Sequence, residues 1–126
     1  MKQITVLVVD NNLNVRETMS SMLNALGIHS VECESGRAAL ELLRSSSFDG
    51  VISDVVMPEM SGLDLASTLR EESPRLPVIM MSSYASEDLE KEARAKGAIG
   101  LISKPFKVSM VAELLTTAKI TFCDPA

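Results

Sequence analysis

Short apolar runs alternate five times along this chain with longer stretches whose apolar residues recur at helical spacing. Runs of four to six residues bounded by Gly, Pro or polar residues indicate buried strands, and the longer stretches indicate amphipathic helices. The predicted strands cover residues 4–9, 28–32, 50–53, 77–81 and 99–102, and the predicted helices cover residues 13–26, 36–45, 61–71, 86–96 and 107–119. Five βα units require right-handed crossovers, so we predict an α/β fold with a single five-stranded parallel sheet and helices on both faces.

Polar residues follow four of the predicted strands at their carboxyl ends. They are Asp10 and Asn11 after the first strand, Asp54 after the third, Ser82 and Ser83 after the fourth, and Ser103 and Lys104, which precede Pro105, after the fifth. In a flavodoxin-like strand order 2-1-3-4-5, the switch point lies between strands one and three, where Asp10 and Asp54 stand. The pattern therefore predicts a crevice that contains two acids, an amide, a hydroxyl and an ammonium group.

The composition indicates one globular domain and excludes several classes of protein. The chain has 126 residues, of which 46% are hydrophobic but 3% aromatic, so the predicted core is aliphatic and methionine-rich. No apolar stretch approaches the roughly 18 residues of a membrane helix. The net charge of −5 argues against direct binding of nucleic acid, which depends on neutralising phosphates.

Cysteine usage and the first residues predict a cytoplasmic location. Cys33 and Cys123 are far apart, without a CxxC motif or a histidine cluster, as is typical of a reducing compartment. The first three residues lead directly into the first predicted strand, so we expect no secretory signal.

Four separate segments resemble the receiver domain of bacterial two-component response regulators. They are VVDN at residues 8–11, DVVMPEMSG at 54–62, MSSY at 81–84 and GAIGLISKPF at 97–106. The resemblance extends over nearly the whole chain, and it implies a receiver domain over residues 1–121 followed by a tail or cut point at 122–126.

The resemblance implies a phosphoryl-accepting switch rather than an enzyme. Asp54 would accept the phosphoryl group, Lys104 would pair with Asp54 and then with phosphoryl oxygens, and the Ser82 hydroxyl would move towards that group. Transferring a phosphoryl group to a carboxylate depends on positioning and on neutralising charge, which a divalent cation supplies. By resemblance, the ligands of Mg²⁺ are Asp10, Asn11, Asp54 and the backbone carbonyl of Val56.

The resemblance also implies the partners of such a switch. A sensor histidine kinase or a phosphotransfer protein would donate the phosphoryl group, and an effector protein or a covalently linked effector domain would read the output. The output surface, which can also pair two copies in a homodimer, would comprise the fourth helix, the fifth strand and the fifth helix.

Several positions differ from the usual pattern of the family. Asn11 replaces an acid that usually ligates the metal, so we predict weakened binding of Mg²⁺. Leu101 replaces an aromatic residue that rotates inward on activation, and Ser82 replaces the commoner Thr. Tyr84, two residues after Ser82, is bulky and suggests slow loss of the phosphoryl group. Pro105 matches the cis-proline of the family.

Asn11 also supports a second hypothesis, a pseudo-receiver that binds proteins without being phosphorylated. Asn11 could alternatively cap the first helix, and His29 is expected to be a surface residue. A haloacid dehalogenase-type hydrolase would need an acid where Asn12 stands. An FMN carrier would need a loop rich in Ser, Thr and Gly after the first strand, and both classes fit poorly.

Overall fold

The computed structural model describes residues 3–118 and contains five strands and five helices in strict alternation. The strands are β1 (Thr5–Val9), β2 (His29–Cys33), β3 (Gly50–Asp54), β4 (Val78–Ser82) and β5 (Gly100–Ser103). The helices are α1 (Leu13–Ala25), α2 (Gly36–Ser45), α3 (Gly62–Glu72), α4 (Glu87–Ala95) and α5 (Val108–Thr117). All pairings are parallel and the strand order is β2-β1-β3-β4-β5, which confirms the predicted fold class and topology.

The two faces of the sheet are buried by different helices. Alternate residues of β1 point to opposite faces, so Val6 and Val8 belong to one core while Leu7 and Val9 belong to the other. The first core also contains Met19 of α1 and Leu115 of α5. The second core contains buried residues of the remaining helices, including Ala39 of α2, Leu65 of α3 and Ala93 of α4. Both faces are therefore covered, as the continuous apolar strands predicted.

Side-chain caps set the N-terminal ends of the first four helices, whereas α5 begins without one. Asn12, Ser35, Ser61 and Ser86 each accept a hydrogen bond from the backbone N–H three residues later. These bonds satisfy donors that the first turn of a helix leaves without partners. The cap of α1 is thus Asn12, and the alternative in which Asn11 caps this helix is wrong.

The observed elements differ from the predicted ones by one or two residues at most of their ends. Four strands end one residue later than predicted, at Cys33, Asp54, Ser82 and Ser103, because the ladder of parallel hydrogen bonds continues beyond the apolar run. Leu13, an apolar residue at the start of the predicted first helix, is 55% exposed. Residue 119 and the tail 122–126 lie outside the described residues.

His29 and several methionines lie where the sequence predicted. His29 is exposed at the edge of the sheet, as predicted, and Met19, Met80 and Met81 are fully buried. Cys33 is a free thiol in the described part of the chain, and burial raises its pKa to about 11. None of the helices within residues 3–118 is long and apolar enough to cross a membrane.

Candidate functional site

The carboxyl ends of β1, β3, β4 and β5 meet in a crevice of about 450 Å³ at one edge of the sheet. Its lining comprises Asn11, Asp54, Val56, Met57, Pro58, Ser82, Ser83, Tyr84 and Lys104. The structure therefore brings together the predicted residues from all four strand ends. Asp10 lies directly behind this lining and is completely buried.

Lys104 joins the two acids of the site. Its Nζ is 3.0 Å from Oδ2 of Asp10 and 3.2 Å from Oδ2 of Asp54. The Lys104 side chain is 15% exposed, and the backbone N–H of Lys104 donates to the carbonyl of Ser82 at 2.9 Å. One ammonium thus bridges two carboxylates that would otherwise repel each other in a poorly solvated place.

The two carboxylates differ in what else they contact. Oδ1 of Asp10 accepts the backbone N–H of Asn12 at 2.8 Å, so both carboxylate oxygens of Asp10 have partners inside the protein. Asp54 is 7% exposed and reaches the crevice, where its Oδ1 accepts a long 3.4 Å bond from the N–H of Val56. The acid with room for an incoming group is therefore Asp54.

Opposing effects act on the Asp54 carboxyl, and the net result is a raised pKa. Burial raises the pKa of the Asp54 carboxyl above its ordinary value, and the nearby charge of Asp10 raises it further. The Lys104 ammonium acts in the opposite direction, by its charge and by its hydrogen bond. Lys104 thereby favours the ionised form that a nucleophilic carboxylate requires.

Ser82 ends β4 beside the same crevice. It is 2% exposed, and its Oγ accepts the backbone N–H of Tyr84 at 2.9 Å. That bond occupies a lone pair of the hydroxyl oxygen, and a hydroxyl has in addition one proton to donate. Tyr84 itself is 81% exposed at the mouth of the crevice.

The oxygen donors suit a hard divalent cation that keeps several of its waters. Mg²⁺ is usually held by one or two carboxylates, with water filling the other positions. Asn11, Asp54 and Val56 line the crevice and buried Asp10 lies behind it, but no group of three acid, histidine or cysteine side chains arranged to hold a metal occurs within residues 3–118. The residues fit Mg²⁺ with less negative charge than a third acid would supply.

Two supporting residues were missed by reasoning from the sequence. Arg16 of α1 donates from Nη1 to the backbone carbonyl of Asp10 at 2.7 Å, and buried Ser53 donates to the carbonyl of Asp54 at 3.0 Å. Arg16 lies three residues before buried Met19 and hence on the inward side of α1. A charged residue at such a position was the available signal for Arg16, whereas Ser53 carries no comparable signal.

Gly62 allows the loop after β3 to return to Asp54. A Cβ atom at Gly62 would overlap the carbonyl oxygen of Asp54 and would lie 3.0 Å from Cα of Val55. The N–H of Gly62 donates to the Val55 carbonyl at 2.8 Å and so closes the loop. Only a residue without a side chain fits this close approach of backbone to backbone.

Gly62→Ala is therefore expected to destabilise the protein by about 3 kcal/mol, at the upper end of the usual cost of overpacking. Urea unfolding followed by circular dichroism measures the free energy of unfolding. Gly36→Ala is a matched control, since Gly36 is also the first residue of a helix but its added Cβ would meet the flexible side chain of Met60, with Sδ at 2.7 Å. Equal losses of stability in the two variants would contradict this explanation.

Pro105 and Leu101 are two further residues of the resemblance. The Lys104–Pro105 peptide bond is cis, in agreement with the motif. Leu101 of β5 is partly buried and packs against the core that contains Ala93 of α4. A change in this part of the core would therefore reach both α4 and β5.

Comparison with known proteins agrees, over most of the chain, with the resemblance found in the sequence motifs. A family model described as the response regulator receiver domain matches residues 6–116. The chemotaxis protein CheY-3 of Vibrio cholerae is 35% identical over 117 residues, and the alignment covers 90% of each chain. The response regulator protein FleR of Pseudomonas aeruginosa is 37% identical over 110 residues, and the alignment covers 87% of this chain but 23% of FleR.

Solved structures extend the likeness to three dimensions. The chemotaxis protein CheY4 of Vibrio cholerae has a TM-score of 0.86 and 30% identity, with 93% of this chain and 99% of that chain covered. The receiver domain of NtrC4, solved as a beryllofluoride-activated dimer, has a TM-score of 0.84 and 29% identity, with 90% and 94% covered. The chain thus spans nearly all of these single-domain structures and about a quarter of FleR.

Proposed function

This chain belongs to the receiver domain family of response regulators, and on that premise we propose that it is a signalling switch that accepts a phosphoryl group on Asp54. The observation that carries the proposal is the position of the Lys104 ammonium, within 3.2 Å of carboxylate oxygens of both Asp10 and Asp54 at the switch point of the sheet.

The proposed reaction is an in-line transfer of phosphorus between two carriers. An oxygen of the Asp54 carboxylate forms a bond to phosphorus while the bond from phosphorus to the donor breaks, and the donor retains that electron pair. The approach brings anions together, so the main demand on the protein is charge neutralisation and positioning. Lys104 supplies a positive charge that its two carboxylate partners hold in place. The backbone of Lys104 is held as well, because its N–H donates to the Ser82 carbonyl.

Mg²⁺, when bound, would supply the remaining positive charge. Asp10, Asn11, Asp54 and the Val56 carbonyl are the groups that would hold it. Asp10 is the acid furthest from solvent, and its Oδ2 contacts Lys104, so we assign it a supporting role in the charge balance of the site.

The hydroxyl of Ser82 connects the site to its surface. Ser82 and Tyr84 are joined by a hydrogen bond, and the loop that follows leads directly into α4. A Ser82 hydroxyl that donates to the phosphoryl group would draw this loop inward and shift the surface formed by α4, β5 and α5. We propose this α4-β5-α5 surface as the output face, and as the contact through which two copies would form a homodimer.

Members of the family pair with histidine kinases and with effector domains. We propose a sensor histidine kinase or a phosphotransfer protein as the donor for Asp54, and an effector protein or linked effector domain as the recipient of the signal. The receiver domain itself is proposed to extend over residues 1–121, to act in the cytoplasm and to bind no nucleic acid directly, in line with its net charge of −5.

Asn11 supports the second candidate function, a pseudo-receiver. Asn11 lines the crevice but brings no charge to it, so the site holds two acids and one lysine. In this alternative the α4-β5-α5 surface binds its partner without phosphorylation of Asp54.

Mass analysis after exposure to acetyl phosphate and Mg²⁺ tests the proposal. The expected result is the addition of one phosphoryl group to the wild type and none to Asp54→Asn. Asp64→Asn is the matched control, because Asp64 is an exposed acid in the first turn of α3, and this variant should still be modified. An unmodified wild type whose amide resonances are also unchanged by beryllofluoride would support the pseudo-receiver instead.

A further inference from the structure

Arg16 links three elements behind the crevice. Its side chain is 14% exposed, Nη1 donates to the backbone carbonyl of Asp10 at 2.7 Å, and Nε lies 3.5 Å from Oε1 of Glu32. Arg16 is on α1, Glu32 is on β2, and Asp10 is the first residue after β1. A single guanidinium group therefore ties the end of β1 to α1 and to β2.

The Asp10 carbonyl is a sensitive place for such a link. The N–H of Asp10 still follows the sheet and donates to the Cys33 carbonyl at 3.2 Å, whereas its carbonyl receives the Arg16 bond. That carbonyl oxygen and the N–H of Asn11 belong to one planar peptide unit. Holding the oxygen therefore limits the directions in which the side chains of both Asp10 and Asn11 leave the backbone.

Both residues belong to the proposed cation site. Asp10 contacts Lys104 through Oδ2, and Asn11 lines the crevice, while Arg16 is not part of that lining. Arg16 thus touches neither the acceptor Asp54 nor the space in which a ligand would lie. Its effect on the site would pass through the backbone of Asp10.

The chemistry of the guanidinium explains why an arginine occupies this position. Arginine presents five N–H donors in a planar fork, so it can bond a carbonyl and an acid on different elements at the same time. Lysine carries a similar charge on a single nitrogen, which would keep the charge but not this two-sided geometry. Comparing arginine with lysine at position 16 therefore distinguishes an effect of peptide orientation from an effect of charge alone.

From these contacts we infer that Arg16, held by Glu32, is a positioning residue that orients the Asp10–Asn11 peptide and thereby sets the affinity of the crevice for a divalent cation. The inference deepens the proposed function and rests on it for the identity of the cation. Residues that support ligands from behind typically change metal affinity by 10–100-fold when they are replaced.

The experiment is a titration of the full chain with Mg²⁺, followed by two readouts. Tyr84 is the one tyrosine in a chain without tryptophan and lies at the crevice, so its fluorescence reports on binding. Amide resonances of Asn11 and Lys104 report on the site both with and without the metal. The variants are Arg16→Met, Arg16→Lys and Glu32→Gln.

Arg44→Met is the matched control. Arg44 makes a bidentate pair with Glu72 at 2.9 and 2.6 Å, but this pair is exposed and joins the carboxyl-terminal ends of α2 and α3. We expect the dissociation constant of Mg²⁺ to rise about 10-fold in Arg16→Met, less in Arg16→Lys and Glu32→Gln, and not in Arg44→Met. The amides of Asn11 and Lys104 should shift in all three test variants, before any metal is added.

An Arg16→Met protein that binds Mg²⁺ with wild-type affinity and shows wild-type amide shifts at Asn11 and Lys104 would overturn the inference. If Arg16→Met does not fold, Glu32→Gln decides, because it removes the charge that holds the guanidinium. Wild-type Mg²⁺ affinity together with wild-type amide shifts at Asn11 and Lys104 in Glu32→Gln would then overturn the inference. Failure of the proposed function would appear differently, as a wild type that gains no phosphoryl group. In that case the metal-free amide shifts still decide whether Arg16 orients the peptide.

Discussion

Lys104→Met is expected to slow transfer of a phosphoryl group to Asp54 by about 100-fold, the lower end of the loss seen when one preorganised charge-stabilising group is removed from a reacting site. The same variant should bind Mg²⁺ more tightly than the wild type. The Lys104 ammonium contacts oxygens of both Asp10 and Asp54, so it competes with a cation for the same negative charge. Opposite signs for the two effects distinguish this account from a general collapse of the site.

The variant should also be less stable without metal. Removing Lys104 leaves two carboxylates close together, one of them completely buried, and breaking a buried pair costs about 3 kcal/mol even at the lower end of the usual range. Added Mg²⁺ should restore part of this loss, because it replaces the missing charge. Urea unfolding without and with Mg²⁺ measures the loss of stability and its partial recovery.

Lys91→Met provides the control for net charge. Lys91 is an exposed residue of α4, and its removal changes the charge of the protein by the same amount. Rates are compared by mass analysis after exposure to acetyl phosphate. A Lys104→Met protein that is modified as fast as Lys91→Met would exclude the assigned role of Lys104.

Asn11→Asp is expected to increase the affinity for Mg²⁺ and to reduce stability in its absence. The added carboxylate enters a crevice that already contains two acids and one lysine. At an effective dielectric constant near 20, one unit-charge pair at ~4 Å contributes roughly 4 kcal/mol before hydration is counted, so a gain of about 100-fold in affinity lies well within this limit. The unfolding free energy measured with excess Mg²⁺ should exceed that of the wild type under the same conditions.

The neighbouring residue supplies a close control. Asn12→Asp adds the same charge one position later, at a side chain that caps α1 rather than lining the crevice. Asn and Asp are almost equally good caps, so α1 should be unaffected. Titration through Tyr84 fluorescence should give a large increase in affinity for Asn11→Asp and a small one for Asn12→Asp. Equal affinities in Asn11→Asp and wild type would refute the view that the missing acid weakens the site.

The wild type and Asn11→Asp together also bear on the choice between a switch and a pseudo-receiver. If Asn11 has reduced only the affinity for metal, high concentrations of Mg²⁺ should allow the wild type to be phosphorylated on Asp54. If the wild type remains unmodified at saturating Mg²⁺ while Asn11→Asp is modified, the substitution at residue 11 is sufficient to explain a pseudo-receiver. Phosphorylation of the wild type and of Asn11→Asp at saturating Mg²⁺ therefore distinguishes a switch from a pseudo-receiver.

The fold was largely predictable because its signals are local. Apolar runs such as residues 50–53 and 77–81 stand alone between polar loops, and Gly27 and Gly97 follow helices at positive φ angles of 80° and 108°. The strand ends were less predictable, since hydrogen bonds of the ladder extend beyond the apolar residues to Cys33, Asp54, Ser82 and Ser103. The exposure of Leu13 was not predictable either, because periodicity does not tell where the first turn of a helix leaves the core.

The amino-acid sequence by itself determined that Asp10, Asp54, Ser82 and Lys104 would share one edge of a parallel sheet, because the carboxyl ends of parallel strands must lie together. Only the tertiary structure decided how they pair: Lys104 bridges both acids, Asn12 rather than Asn11 caps α1, and Arg16 holds the carbonyl of Asp10. Such contacts join side chains that are far apart in the chain, and their distances follow from how the helices pack on the sheet rather than from any local pattern of residues.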